Sequence, residues 1–405
     1  MGNNIRGERI CFLLGSGISI PAGFPGTEEI TKFMFDCEEC FRYTDGTYVF
    51  SSCRSLPEVY TEPVSIIKRF LCFLKEEISQ YYKSKKVVNY EDLFYMVSQI
   101  ADAQSKEYDN PAIQSLLDKI LSKGFLDSWE KMKFKWQGLF KEVRHYIIDA
   151  VRKKLFLPLP ENASYLNLFA DAARDKRVNM LDLFSLNHDL LLEQYFMKNN
   201  ISVIDGFTPL NNDLRCWQAS LYEKDEPKLR LYKLHGSINW CRVRNEDNPL
   251  YSQQIVIATD PDHSKDKKGN YLTLLDERSF LIGTFNKMLD YTAKDIFLQL
   301  FCIFRQHLYG SSRLIVSGYS FSDKGINSVL INWLLSNKNN LILIIHPDLS
   351  LLRRDVGGTI LNKWKILVEK KVLRFINRRF EETSWDDVAS ELWRFKSINN
   401  KGRYI

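Results

Sequence analysis

The chain has 405 residues, 45% of them hydrophobic and 26% charged, which excludes a disordered protein and leaves room for roughly two to three domains, or one domain carrying an insertion. Its net charge of +6, from 56 Lys and Arg against 50 Asp and Glu, says little by itself about nucleic acid. No apolar run approaches the ~20 residues a membrane span needs, so none is predicted.

Ile10 to Leu14 is the first apolar run, and with Arg6 and Arg9 before it the run is too short for a secretory signal. Arg6 also stands where a myristoylation signal after Gly2 wants Ser or Thr. The eight cysteines are scattered through a chain large enough to fold without staples, so reduced thiols, no disulfides and a cytoplasmic location are expected. Cys37 and Cys40 have the spacing of zinc or redox pairs, with Cys53 near but no second pair, and coincidental thiols are the better reading.

The same Ile10 to Leu14 run reads as a buried strand that ends in the tight turn Gly15-Ser-Gly17. From Pro57 to Leu157 the apolar residues recur at helical spacing, as in Leu93, Phe94, Val97, Ile100 and Ala101, with Asn89 placed as an N-cap. After Pro158 and Pro160 come four short apolar runs that each meet small or polar residues at their C-terminal ends. They are Met180 to Leu186 before Asn187, Leu229 to Leu234 before His235, Leu314 to Val316 before Ser317, and Leu341 to Ile345 before His346. Strands of this kind form open parallel sheets, whose ligands bind beyond the carboxyl ends of the strands. Phe297 to Leu308 is a predicted crossover helix, Asp260 to Asn270 a polar loop, and Ser384 to Lys396 an amphipathic helix carrying Trp385, Val388, Ala389, Leu392 and Trp393 on one side.

The expected fold is α/β, a Rossmann-like open parallel sheet with an all-helical insertion. Residues 1–56 would form the first part of a nucleotide-binding domain, 57–157 the insertion, 158–350 the remainder, and 351–405 a basic and helical extension. Between Arg353 and Arg379 nine basic residues face only Asp355 and Glu369, which makes this stretch the candidate surface for protein or nucleic acid, or else a solvated face. Because the strand ends with polar residues all lie outside 57–157, the insertion is expected to be dispensable for ligand contacts.

The glycine turn lets backbone N–H groups approach a diphosphate. Ile20 occupies the third glycine position of the dinucleotide fingerprint, which disfavours a conventional dehydrogenase. The spacing Gly15-x-Gly17-x-Ser19-x3-Gly23-x-Pro25 instead resembles the opening motif of sirtuins. Ser185-Leu-Asn-His-Asp189 resembles their Thr-x-Asn-x-Asp segment, Leu234-His-Gly236 their His-Gly, Ser317-Gly-Tyr-Ser320 their later phosphate and ribose turn, and Ile344 to Asp348 their final nucleotide-binding strand end. More closely, Asn187-His-Asp189, Leu234-His-Gly-Ser-Ile-Asn-Trp240 and Gly318-Tyr-Ser-Phe-Ser-Asp323 are similar to the sirtuin-like domains of bacterial antiphage defence, including those that work with a HerA-like ATPase.

The resemblance implies chemistry on NAD as substrate, with no metal. Asn187 would hold a ribose hydroxyl or the attacking water through its amide, Asp189 would accept from the nicotinamide amide, and His235 would act as general base. Gly15, Ser16, Gly17, Ser19 and Gly23 would bind the dinucleotide with Ser317, Gly318 and Ser320 across from them, and His346 would contact the adenosine ribose. Asn187 and Asp189 also suit the cap of a helix near Leu190, and His235 a half-buried structural position. His188, His145, His263 and His307 have no such company and read as structural or exposed.

Departures from the sirtuin pattern matter equally. Deacylases of the family carry two CxxC pairs after His-Gly, where this chain has only Cys241 and Cys302, and Thr27 and Glu28 replace their Phe and Arg after the motif proline. This favours NAD hydrolysis or cyclisation over deacylation, with a non-catalytic NAD sensor and a DNA-associated subunit as further alternatives. The resemblance implies a homo-oligomer or a HerA-like ATPase partner, with nucleic acid reached only through that partner or the 353–379 stretch, and no membrane.

Overall fold

The computed structural model describes residues 7–44, 46–50, 59–83, 86–106, 110–132, 138–211, 213–245, 253–258, 272–282, 295–355 and 358–394. Its strands are β1 (Glu8–Leu14), β2 (Cys40–Tyr43), β3 (Tyr48–Phe50), β4 (Val59–Tyr60), β5 (Val178–Ser185), β6 (Leu214–Cys216), β7 (Leu229–Lys233), β8 (Gly236–Asn245), β9 (Gln253–Ala258), β10 (Leu272–Phe280), β11 (Arg313–Ser317), β12 (Leu341–Ile345) and β13 (Leu373–Ile376). Six of them form one parallel sheet in the order β13-β12-β11-β1-β5-β7.

β1 is fully buried from Ile10 to Leu14 because helices cover both faces of the sheet, which is why it reads as a continuous apolar run rather than an alternating one. Ile10, Phe12 and Leu14 face a core shared with Phe70, Leu93 and Ile147 of the helical segment. Cys11 and Leu13 face the opposite core, with Phe297, Phe304 and Trp333. The chain leaves β1 for β5 on one side and later returns to β11 on the other. That reversal opens a crevice at the carboxyl ends of β1, β5 and β11.

The predicted crossover helix spans Asp295–Tyr309. Asn89 caps the helix Tyr90–Ser105, its Oδ1 accepting from the N–H groups of Glu91 and Asp92 at 3.0 and 3.1 Å. The C-terminal helix runs over Trp385–Leu392 behind the Ser384 cap. Among the described residues no helix is long and apolar enough to cross a membrane, and every cysteine is a free thiol. Asp260 to Asn270, Cys53 and His263 lie outside the described residues.

Three features were not foreseen. β2, β3 and β4 form a small antiparallel sheet, β6, β8, β9 and β10 a second one, and β13 extends the parallel sheet from within the basic 353–379 stretch. The small sheet is fastened to the helix Leu139–Leu155 by a buried fork. Arg42 Nε and Nη2 each lie 2.7 Å from a Glu142 oxygen, Tyr48 donates its hydroxyl to the same carboxylate at 2.6 Å, and its N–H reaches Asp149 at 2.9 Å. Burial drives the Tyr48 phenol's pKa well up, with the Glu142 charge adding to it, so the phenol stays a donor. In mid-sheet, buried Asp182 is matched by Arg9 at 2.6 Å and by the Tyr232 hydroxyl at 3.2 Å. His307 Nδ1 lies 3.3 Å away, which gives that histidine its structural place.

At the corner before β5, Asp175 accepts from Arg177 at 2.6 Å and from the Trp385 indole at 2.9 Å, tying the C-terminal helix to the sheet. Its carboxyl is held well below the usual range, chiefly by the Arg177 hydrogen bonds. A depressed folded pKa means that this contribution is present above the unfolded value near 4 and is lost as pH falls through the folded one. Asp175→Asn is therefore expected to lower stability by about 1–3 kcal/mol at pH 7. In melts across pH 2–7 the gap to wild type should close on acidification, and an equal gap at every pH would contradict the assignment.

Candidate functional site

Four strand ends and one helix start build the site. Gly15 closes β1 and its N–H donates to the Ser317 carbonyl at the end of β11, at 2.9 Å. A Cβ on Gly15 would lie 2.3 Å from the Gly318 carbonyl oxygen, one on Gly17 would lie 2.6 Å from the Gly318 Cα, and Gly318 itself sits at φ +66. The two turns thus pack backbone against backbone. A side chain at Gly15 would therefore pry the turns apart before it met any ligand. Gly23, at φ +83, shapes the following turn and lines neither cavity described below.

Asn187 follows β5 and is buried. Its amide donates to the Gly15 carbonyl at 3.0 Å and to the Ser19 hydroxyl at 3.1 Å, so both amide hydrogens are used inside the protein and Oδ1 is the atom left to meet a ligand. Asp189 Oδ1 accepts from the Leu191 N–H at 3.1 Å at the start of the helix Leu191–Lys198, one residue ahead of the N-cap Leu190. Lys233 joins two strand ends just ahead of His235: its ammonium bonds the Asp189 carbonyl and lies 3.2 Å from Glu193 Oε1. Burial raises the Glu193 carboxyl's pKa, and the Lys233 charge opposes that shift.

His235 is 3% exposed, and its Nε2 lies 3.2 Å from Asp323 Oδ2. Asp323 is fixed at both its carboxylate and its backbone. Its Oδ1 caps the helix Lys324–Ser336 by accepting from the Ile326 N–H at 3.0 Å, its own N–H donates to the Tyr319 hydroxyl at 3.1 Å, and that hydroxyl lies 2.9 Å from Asn327 Oδ1. Burial pushes the Tyr319 phenol's pKa well up, with the Asp323 charge adding to it.

Gly15, Ser16, Ser19, Asn187, Asp189, His235, Gly318 and Ser320 line one cavity of about 170 Å3. A second cavity of about 510 Å3 shares Ser16, Gly318, Tyr319 and Ser320 with it and continues over Gly17, Ser317 and His346 to Arg379 and Glu381. His346 is oriented by the Asp348 N–H, which donates to its Nδ1 at 3.0 Å.

Several wall residues escaped the sequence reading. His188, its ring 6.2 Å from that of His235, lines the first cavity, as do Asp323 and the apolar Phe24. Tyr90, Glu91 and Leu155 also line it, so the helical segment contributes to the wall from which it was expected to be absent. Arg379 places the end of the basic stretch on the second cavity. Cys37 and Cys40 lie elsewhere. Burial pushes the Cys40 thiol up to about 12, so it stays protonated at neutral pH. No group of three or more His, Cys, Asp or Glu among the described residues has the arrangement of a metal site.

A family model described as the SIR2-like domain matches residues 182–368. This chain matches the SIR2-like domain there. The matched SIR2-like segment contains Asn187, Asp189, His235, Ser317 and His346 and begins after the Gly15 turn. Comparison with curated proteins gives no match. Among solved structures, the chain is similar to a SIR2 homologue in complex with NAD, at 11% identity over 96% of this chain and 91% of that one, with a TM-score of 0.36. It is also similar to a mutant Sir2 homologue bound to 2'-O-acetyl ADP ribose, at 12% identity over 99% and 100%, with a TM-score of 0.32. A third structure, of a Sir2 enzyme, has 10% identity over 97% and 98% and a TM-score of 0.33.

Proposed function

We propose that the chain cleaves NAD at the bond between nicotinamide and ribose, releasing nicotinamide together with ADP-ribose where water attacks, or with a cyclic product where the nucleotide's own group does, as an effector of bacterial antiphage defence. The observation that carries this reading is the convergence of Asn187, Asp189 and the His235–Asp323 pair on one small cavity, beside two glycine turns that open onto a larger one. The first cavity would take the nicotinamide ribose, the shared turns the diphosphate, and the second cavity the adenosine, with His346 at its ribose.

His235 takes the proton from a ribose hydroxyl or water, and the Asp323 carboxylate steadies the imidazolium that results. Asn187 Oδ1 accepts a hydrogen bond from that hydroxyl or water and so orients it. Asp189 meets the nicotinamide amide through the oxygen that does not cap the helix. Phe24 and Ile30 supply apolar wall that keeps bulk water from the electron-poor ribose carbon. Because unrestrained NAD loss kills the host cell, activity is held back until a homo-oligomer or a HerA-like ATPase partner licenses it.

Asp323→Asn keeps the helix cap and removes the charge that steadies the imidazolium. The expected result is a fall in kcat of about 10–10²-fold with little change in KM for NAD, since the charge matters only once the proton has moved. Equal kcat in the variant would remove Asp323 from the mechanism. The reaction itself is tested by incubating protein with NAD in the presence and absence of an acetyl-lysine peptide. Nicotinamide and ADP-ribose without peptide support hydrolysis, whereas peptide-dependent release with acyl transfer would make the chain a deacylase.

A further inference from the structure

The opposite end of the parallel sheet carries a second concave site. Arg313, Leu341 and Leu373 are the first residues of β11, β12 and β13, and around these strand starts lies a pocket of about 450 Å3. Five-residue strands rise about 3.3 Å per residue, so the pocket is about 15 Å from the carboxyl ends that form the candidate active site. Its size is that of a small-molecule site, about 300–1,000 Å3.

The charge in this pocket is one-sided. Arg313, Lys338, Lys371, Arg374 and Arg394 line it against one carboxylate, Glu8. That carboxylate is already used: Glu8 Oε2 holds Arg313 Nε at 2.6 Å, and Arg313 is further fixed by the Leu392 carbonyl at 2.7 Å. Arg374 donates to a backbone carbonyl, that of Glu391, rather than to a carboxylate. Burial lowers the Arg374 guanidinium's pKa, Glu391 opposes the shift, and the neighbouring Arg313 and Arg394 charges deepen it. Among the described residues neither Lys338 nor Lys371 has a carboxylate partner. Fixed guanidiniums at the base and unpaired ammoniums at the rim are what a chain of linked phosphates requires, with several negative oxygens spread over a few ångströms.

We propose that this pocket binds a ligand with two or more linked phosphates, whether a nucleoside polyphosphate or inorganic polyphosphate, as a site separate from the cavities at the strand ends.

The probes are sodium tripolyphosphate and ATP, each titrated calorimetrically into the full chain at physiological ionic strength, with a 20-base-pair DNA duplex as competitor. The variant is Lys338→Glu with Lys371→Glu, both exposed and outside the catalytic machinery, so its melting temperature should match wild type. One tripolyphosphate per wild-type chain is expected, with affinity at least ~10-fold lower in the double variant, since each lost charge-assisted bond is worth about that factor. Tighter binding of ATP than of tripolyphosphate would assign the nucleotide source, and the reverse the inorganic one. Undiminished binding in the folded variant, or no binding by wild type, would overturn the proposal. So would a duplex that displaces the probe and itself binds with a steep salt dependence lost in the variant, because the pocket would then be reading a nucleic-acid backbone.

Discussion

His235→Ala is expected to reduce nicotinamide release by ~10²-fold or more, because in the proposed mechanism it removes the group that takes the proton as the glycosidic bond breaks. Asn187→Ala is expected to cause a comparable fall for a different reason. In the proposed mechanism its Oδ1 orients the reacting hydroxyl or water, while its amide pins the Gly15 turn and Ser19 to the end of β5. Both variants should also lose stability, by about 1–3 kcal/mol each: Asn187→Ala severs two hydrogen bonds, and His235→Ala truncates a buried ring beside Asp323. Turnover and melting temperature measured together distinguish the effects, and wild-type turnover in a folded His235→Ala protein would show that His235 is not the base.

The largest expected effect on stability lies far from the site. Glu142→Ala leaves the Arg42 guanidinium, whose side chain is 4% exposed, without its carboxylate, and also orphans the Tyr48 hydroxyl. Breaking one half of a buried pair of this kind costs about 3–5 kcal/mol, and replacing both halves with apolar residues costs much less. Chemical denaturation should show this loss in Glu142→Ala and a clear recovery in the double variant Arg42→Met with Glu142→Leu. A loss below about 1 kcal/mol in the single variant would mean that water reaches the pair and that it does not lock the small sheet to the helix.

The central sheet was legible because its strands are buried on both faces. Ile10 to Leu14 and Leu341 to Ile345 are unbroken apolar runs, the first ending on the glycine turn at Gly15 and the second on the polar His346. The antiparallel strands gave no such signal. β2 buries Arg42, a residue that reads as surface until Glu142 is brought to it by a helix far along the chain. β13 was hidden for a similar reason, since Arg374 sits between Leu373 and Phe375 in a stretch dominated by charge.

At the site, Asn187, Asp189 and His235 could be singled out by their positions after apolar runs, but their partners could not. Asp323 stood inside a recognised motif, yet its approach to His235 depends on β11 and β7 lying on opposite sides of β1. The Gly15 turn illustrates the same limit. Local spacing indicated that glycine was required there, and only the tertiary structure gave the reason, a second glycine turn occupying the space a Cβ would take.

NAD cleavage by this chain is tested most directly by counting nicotinamide formed per chain when the purified protein is incubated with NAD, alone and with a HerA-like ATPase as the proposed partner. Release well beyond one equivalent is predicted, with ADP-ribose or its cyclic form as co-product, and almost none from His235→Ala under the same conditions. NAD that binds at the strand-end cavity but yields no more nicotinamide with wild type than with His235→Ala would contradict it.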